Sequence, residues 1–302
     1  MATSGRNDHT AIRRVLRRSA PGLARDLPWI DTDPWPVLVS EVMLQQTQTS
    51  RVITPWTKFV EAFSTPTSCA DAPLSEVLRL WGGLGYHRRA KALHDAAIMI
   101  RDEFDGAVPN AVADLRRLPG VGEYTANAVA SFAFGECVAV VDTNVGRVLA
   151  RAVANRTLSV RDARVVANEL LPRSNAAAFN QALLDLGAQF CTSTPRCDPC
   201  PMARVCRWHV EGGPDPAPRS AGVSRPQSKF QGSDRQARGR VLAALRERPH
   251  SVRHLLACVD DVDVRRGTTL IAGLIADGLV EQRGQLVRLS GDVQPVRPAR
   301  GT

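Results

Sequence analysis

Leu118-Pro119-Gly120-Val121-Gly122 joins two stretches of helical apolar spacing, AVADLRRL before it and EYTANAVASFAF after it. Two glycines turn the backbone tightly where a helix opens, so free backbone N–H groups, aided by the helix dipole, point at an approaching anion. Taken alone, the same five residues also read as an ordinary helix–helix turn. A feature further along tips the balance: Cys191-TSTPR-Cys197-DP-Cys200-PMARV-Cys206 packs four of the seven cysteines into one short segment. Soft thiolates at short, unequal intervals can close a cage around one centre. Zinc would favour paired Cys-x-x-Cys knuckles, and only one such pair is present. An iron–sulfur centre is therefore the expected occupant, with zinc or a chance grouping of core thiols as the alternatives.

Composition sets the remaining bounds. With 302 residues, 44% of them apolar and 23% charged, the chain has enough material for two or three compact domains. No apolar run is long enough to span a bilayer, the start MATSGRNDHT lacks the apolar core of a secretory signal, and the metal-type cysteine usage fits a reducing interior, so a cytoplasmic protein is expected. A net charge of +9 points to a polyanionic partner, nucleic acid rather than membrane, although 36 of the 39 basic residues are arginine and genomic bias could produce that by itself. The segment IRRVLRR, from Ile12 to Arg18, has the amphipathic pattern of a first helix or of a transit peptide.

Residues 1–210 read as a run of helices with almost no strand signal. One of these helices is taken to run through WPVLVSEVMLQQTQTSRVITPW, Trp35 to Trp56, with Pro36 in its first turn and Gln45 and Gln48 continuing the face of Glu41. Composition shifts to Pro, Gly and Ser over 211–229, a linker. Residues 230–290 show three short helices and then LVEQRGQLVRLS, a hairpin turning at Arg283-Gly284; this is the pattern of a winged helix or of a simple stabilising cap. Residues 291–302 read as a disordered tail.

LPGVG between two helices, an aspartate in VVDTNVGRVLAR and then the four-cysteine segment follow the order found in the helix-hairpin-helix DNA glycosylases related to endonuclease III, and residues 25–207 resemble that superfamily. Within it, SEVMLQQTQ, GLGYHRRAKALH and FNQALLDLGAQFC resemble the MutY family of adenine-specific mismatch glycosylases. The resemblance implies an all-α, two-lobed glycosylase fold that grips double-stranded DNA in a cleft. It also implies a 4Fe-4S cluster on Cys191, Cys197, Cys200 and Cys206, and a monomer that removes adenine opposite 8-oxoguanine or guanine.

Glu41 sits on a helix among Val37, Leu38, Val39, Val42, Met43 and Leu44. A carboxyl desolvated among aliphatic groups can stay protonated near neutrality, although a helix glutamate is more often solvated. The resemblance makes Glu41 the acid that protonates departing adenine at N7. Asp142 ends an apolar stretch ahead of a helix, where it could simply be an N-cap. By resemblance its carboxylate stabilises, or bonds to, the cationic sugar, the two-carboxylate logic of glycoside hydrolysis, with Asn144 as supporting donor. Tyr124 stands where endonuclease III-type enzymes carry a Schiff-base lysine, and a phenol cannot form that imine, so an abasic site is the expected product.

Gln46 and Tyr86 match residues that wedge the duplex and contact the oxidised guanine. Gln181 and Asp185 match the lining of the adenine pocket, or lie on a helix surface. Leu118, Gly120, Val121 and Gly122 form the DNA-binding hairpin. The chain departs from the pattern in four places. The first cysteine interval is one residue short, Ile30 follows Leu27-Pro28-Trp29 in place of a polar residue, and VDTN replaces DGN. The stretch after 230 is also too short for the Nudix-like domain of many relatives and lacks a Phe-Ser-His loop. A thymine-mismatch glycosylase of the same fold is the nearest alternative, and an iron–sulfur redox-sensing DNA-binding regulator is one of another class; Glu41 and Asp142 together favour an enzyme.

Overall fold

The structure, a computed structural model, describes residues 4–220, 229–259 and 263–292. It divides into two compact units, one from residues 1–37, 110–116 and 121–226, the other from 38–109, 117–120 and 227–302. Among the described residues no helix is long and apolar enough to cross a membrane.

In the first unit, the helix Ser4–Leu23 packs against Ala176–Gln189, which in turn packs against Thr143–Val148. The apolar face foreseen in IRRVLRR is the reason: Ile12 and Leu16 are fully buried beside Val145, Leu149 and Leu183. From the flank of that face Arg13 donates to the carbonyls of Glu169 and Leu170 at 2.6 and 2.8 Å, capping the helix Val160–Leu170. The stretch read as a linker is folded at its start. Asp215 pairs with Arg151 at 2.6 Å, Ala217 is fully buried and Ser220 accepts from the Leu158 amide, while residues 221–228 lie outside the described residues.

The second unit builds its helical core on Leu38, Met43, Phe59, Trp81, Leu93 and Ile100. The described residues from 229 to 292 belong to this same unit. The helices Asp234–Glu247, Val252–Ala257 and Val264–Ala276 pack on a three-stranded antiparallel sheet of β1 His250–Ser251, β2 Val280–Arg283 and β3 Leu286–Leu289, ordered β1-β3-β2. Val280 pairs with Leu289 and Arg283 with Leu286 around Gly284, whose φ of 59° suits a tight hairpin. This is the arrangement of a winged helix. Of the expected tail, Gly291 and Asp292 are ordered against the unit, and residues 293–302 lie outside the described residues.

One expected helix is two. Pro34–Leu44 stops before Gln46, whose φ is 57°, and Thr49–Ala62 begins anew, so Gln45 and Gln48 do not continue the face of Glu41. The cause is Arg89: its Nη1 donates to the carbonyls of Val42, Met43 and Gln45 at 2.9, 3.0 and 2.5 Å, and its Nη2 to Thr47 Oγ1 at 3.0 Å. A side chain thus satisfies the last carbonyls, which the next helical turn would otherwise have bound.

Candidate active site

Asp142 does cap the helix Thr143–Val148, with Oδ1 accepting from the Val145 amide at 2.8 Å. Its second oxygen accepts from Asn144 Nδ2 at 2.7 Å. Burial pushes the carboxyl above the ordinary aspartate range, against these hydrogen bonds and the nearby charge of Arg147. Asn144 Oδ1 accepts from Arg147 Nη2 at 2.6 Å, and Arg147 Nε donates to the Cys191 carbonyl at 2.6 Å. An unbroken hydrogen-bonded path therefore joins Asp142 to the first cysteine of the cluster segment. The path needs Gly187. A Cβ there would stand 2.7 Å from Asn144 Cβ and 2.8 Å from its carbonyl, far inside contact distance. Upstream, Asn180, 1% exposed, holds the strand-like approach to Asp142 by bonding Val138 O and the Val140 amide at 2.9 and 3.3 Å.

Cys191, Cys197, Cys200 and Cys206 line one pocket, with Met202 as a buried floor. Burial raises the thiols of Cys191, Cys200 and Cys206, the last to about 11. Arg151, 1% exposed, donates to Cys191 Sγ at 3.3 Å and to Thr192 O at 2.7 Å, pairs with Asp215 and lies 5.4 Å from the Trp208 ring centroid. Among the described residues no three His, Cys, Asp or Glu side chains are grouped to hold a single metal ion. Arg196 bonds Gln189 O and Arg207 pairs with Glu211, while Arg204 is exposed.

Glu41 is buried, 5% exposed, in the middle of Pro34–Leu44. Gln46 is exposed and Tyr86 half-buried, and both have left-handed backbones, φ 57° and 50°, a conformation costly for non-glycine residues. Arg89 lies 5.2 Å from the Tyr86 ring centroid and 5.5 Å from that of Trp81 while bonding the turn around Gln46, so one guanidinium braces both residues. In the hairpin Leu118 and Val121 are buried. Gly120 has φ 77° and leaves only 2.8 Å between a would-be Cβ and Ala92 Cβ, and its carbonyl accepts from Gln45 at 3.2 Å. Gly122 caps Glu123–Phe134 with open space about it.

Tyr124 occupies the first turn of Glu123–Phe134. Asp185, 1% exposed, accepts from Arg25 Nε at 2.5 Å and from Gln181 Nε2 at 3.0 Å, so this pair forms a partly buried polar knot with a residue 160 positions away. Arg25, Arg89, Arg147, Arg151 and Asp215 were not singled out by the sequence. Each acts through a distant partner, and local spacing carries no such signal.

Residues 39–173 match the HhH-GPD superfamily base excision DNA repair protein family. An adenine DNA glycosylase of Mycolicibacterium smegmatis is 44% identical over 283 residues, covering 91% of this chain and 94% of the relative. The human adenine DNA glycosylase is 41% identical over 214 residues, covering 66% of this chain and 39% of the relative. Among solved structures, a thermostable thymine-DNA glycosylase superposes with a TM-score of 0.62 at 27% identity, covering 68% of this chain and 98% of its own. A trapped endonuclease III–DNA covalent intermediate does so with a TM-score of 0.59 at 28% identity, covering 67% and 97%.

Proposed function

The chain belongs to the adenine DNA glycosylases of the HhH-GPD base excision repair superfamily, and from that premise we propose that it releases adenine paired with 8-oxoguanine or guanine in double-stranded DNA, acting as a cytoplasmic monomer. It is a DNA N-glycosylase of base excision repair. The observation that carries the mechanism is the setting of Asp142, a half-buried carboxyl with both oxygens held by donors at a helix N-terminus.

Glycosidic cleavage leaves an electron-poor sugar, which a fixed carboxylate stabilises or captures, and Asn144 keeps that carboxylate aimed. Glu41, buried in the middle of its helix, supplies the proton to adenine N7. Tyr124 has no amine for Schiff-base chemistry, so hydrolysis ends at an abasic site. Gln46 and Tyr86 enter the duplex and contact the base opposite adenine, Gln181 and Asp185 lie near the adenine pocket, and Leu118, Gly120, Val121 and Gly122 present backbone amides to phosphate, with the open space at Gly122 admitting an oxygen.

Cys191, Cys197, Cys200 and Cys206 fit a 4Fe-4S cluster. Four thiols line one pocket, and the segment has one Cys-x-x-Cys pair where a zinc site would favour two. A cluster held by these four thiols would cross-link the segment 191–206, leaving the chemical steps to Glu41 and Asp142.

Base release from defined duplexes tests the reading. Adenine should leave from pairs with 8-oxoguanine and guanine and not from pairs with thymine. Thymine release from pairs with guanine would instead favour the activity of the thymine-DNA glycosylase neighbour.

A further inference from the structure

Tyr86 is gripped by the C-terminal module. Arg235, at the start of Asp234–Glu247, donates from Nη1 to Tyr86 Oη at 2.6 Å. Its guanidinium lies 5.5 Å from the Tyr86 ring centroid and 5.2 Å from that of Phe230. The same helix reaches the other end of the loop, where Arg246 donates to Gly82 O at 2.5 Å and accepts at its carbonyl from Arg79 at 3.2 Å. Asp277 adds ion pairs to Arg88 and Arg238, and Asp292 one to Arg79. The loop Gly82–Tyr86 is thus fastened at both ends by residues of 230–292.

We propose that Arg235 is a positioning residue for Tyr86 and, through it, sets how strongly the enzyme distinguishes the base opposite adenine. The inference rests on the reading of Tyr86 as a contact to that base. A tyrosine ring has two free torsions, and its left-handed backbone at φ 50° does not fix them. Arg89 bears on the ring from within the loop's own helices, while Arg235 anchors the hydroxyl end. Because the oxygen accepts from a cation, its proton is directed outward and the group becomes a stronger, oriented donor. 8-Oxoguanine differs from guanine by a carbonyl at C8 and a proton at N7, so an oriented ring and hydroxyl are suited to telling the two apart. Phe230, 56% exposed, shields the guanidinium on the module side.

The test uses the full chain. Single-turnover adenine release is measured from duplexes with adenine opposite 8-oxoguanine and opposite guanine, for the native protein, Arg235→Ala, Arg235→Lys, Tyr86→Phe and the double variant Arg235→Ala with Tyr86→Phe. Arg235→Ala should shrink the ratio of the two rates by about fivefold or more, Arg235→Lys should restore part of it, and the double variant should be no worse than the more severe single one. Equal slowing on both duplexes, or fully additive effects, would overturn the proposal. Should Arg235→Ala fail to fold, Phe230→Ala at its exposed position replaces it in the same comparison. A second readout is independent of activity. The chain has two tyrosines, so 3-fluorotyrosine labelling gives two fluorine resonances, and Tyr86→Phe identifies one of them. Arg235→Ala should move and broaden the Tyr86 signal, and an unmoved signal would sink the clamp whatever the substrate. A native protein that releases no adenine while the signal does move would fault the proposed function and leave the clamp standing.

Discussion

Asn144 gives its amide to Asp142 and takes the Arg147 guanidinium on its carbonyl oxygen, at 2.7 and 2.6 Å, so Asp142 feels the cation through one intervening side chain. Burial holds the Asp142 carboxyl above its ordinary 3.8, against the hydrogen bonds from Val145 and Asn144 and, with the smallest share, the charge of Arg147. If cleavage needs the ionised form, the rate must fall as pH drops through a value above 3.8. Replacing the cation, Arg147→Met, removes the downward pull and should move this acid limb to higher pH. Asp142→Asn should slow adenine release about 10²- to 10³-fold at every pH. Single-turnover rates across pH decide it, and an acid limb unmoved in Arg147→Met would count against the relay.

Glu41→Gln keeps shape and removes the proton. Mismatch binding, followed by gel shift, should persist while adenine release drops about 10²-fold or more. Product strands should break only after alkali or heat, and a borohydride-trapped protein–DNA adduct would contradict the role given to Tyr124.

Gly187→Ala places a methyl 2.7 Å from Asn144. Overpacking of this kind costs about 1–3 kcal/mol, so chemical denaturation should reveal a loss of that size. The turn carrying Asp142 must yield as well, and adenine release should fall further than stability alone explains. A variant with native kinetics would show that the turn tolerates displacement.

His87, 8% exposed, faces Arg246, Arg238 and Arg89, and burial among these cations lowers its pKa to about 4. Its folded value lies below the ordinary 6.5, so its contribution to stability is complete above pH 6.5 and is lost as pH falls toward 4, on the order of 3 kcal/mol. Thermal midpoints should decline through that window, and His87→Gln, which takes up no proton, should flatten the decline. Parallel curves for the two proteins would remove His87 as the cause.

Anaerobically purified protein should contain four iron and four sulfide per chain, and one zinc per chain would refute the cluster. Arg151→Ala strips a buried partner from Asp215 and from Cys191, so iron content and thermal midpoint should both fall.

What the sequence shows and what it hides separate by distance along the chain. The turn at 118–122, the cap at Asp142 and the turn at Gly284 are local patterns that stand in the structure, and the four cysteines, also a local pattern, line one pocket there. The break at Gln46 was invisible because the agent that ends the helix, Arg89, sits more than forty residues downstream. Asp215 lies in a stretch whose composition suggests a linker, yet a buried arginine 64 positions earlier recruits it. The winged-helix pattern was legible from its elements, whereas its packing beside Tyr86 involves partners far apart in the chain, such as Arg235, 149 positions away, and Arg246.

Arg89 holds two strained backbones, at Gln46 and Tyr86, in place before any duplex arrives. Their ordering belongs to the folding of the protein and not to its encounter with DNA, so little conformational freedom is left to lose at contact. Rapid scanning would follow were Gln46 and Tyr86 to meet the duplex as proposed: a reader already in shape would test each base pair during a brief visit, and only a mismatched site would detain it.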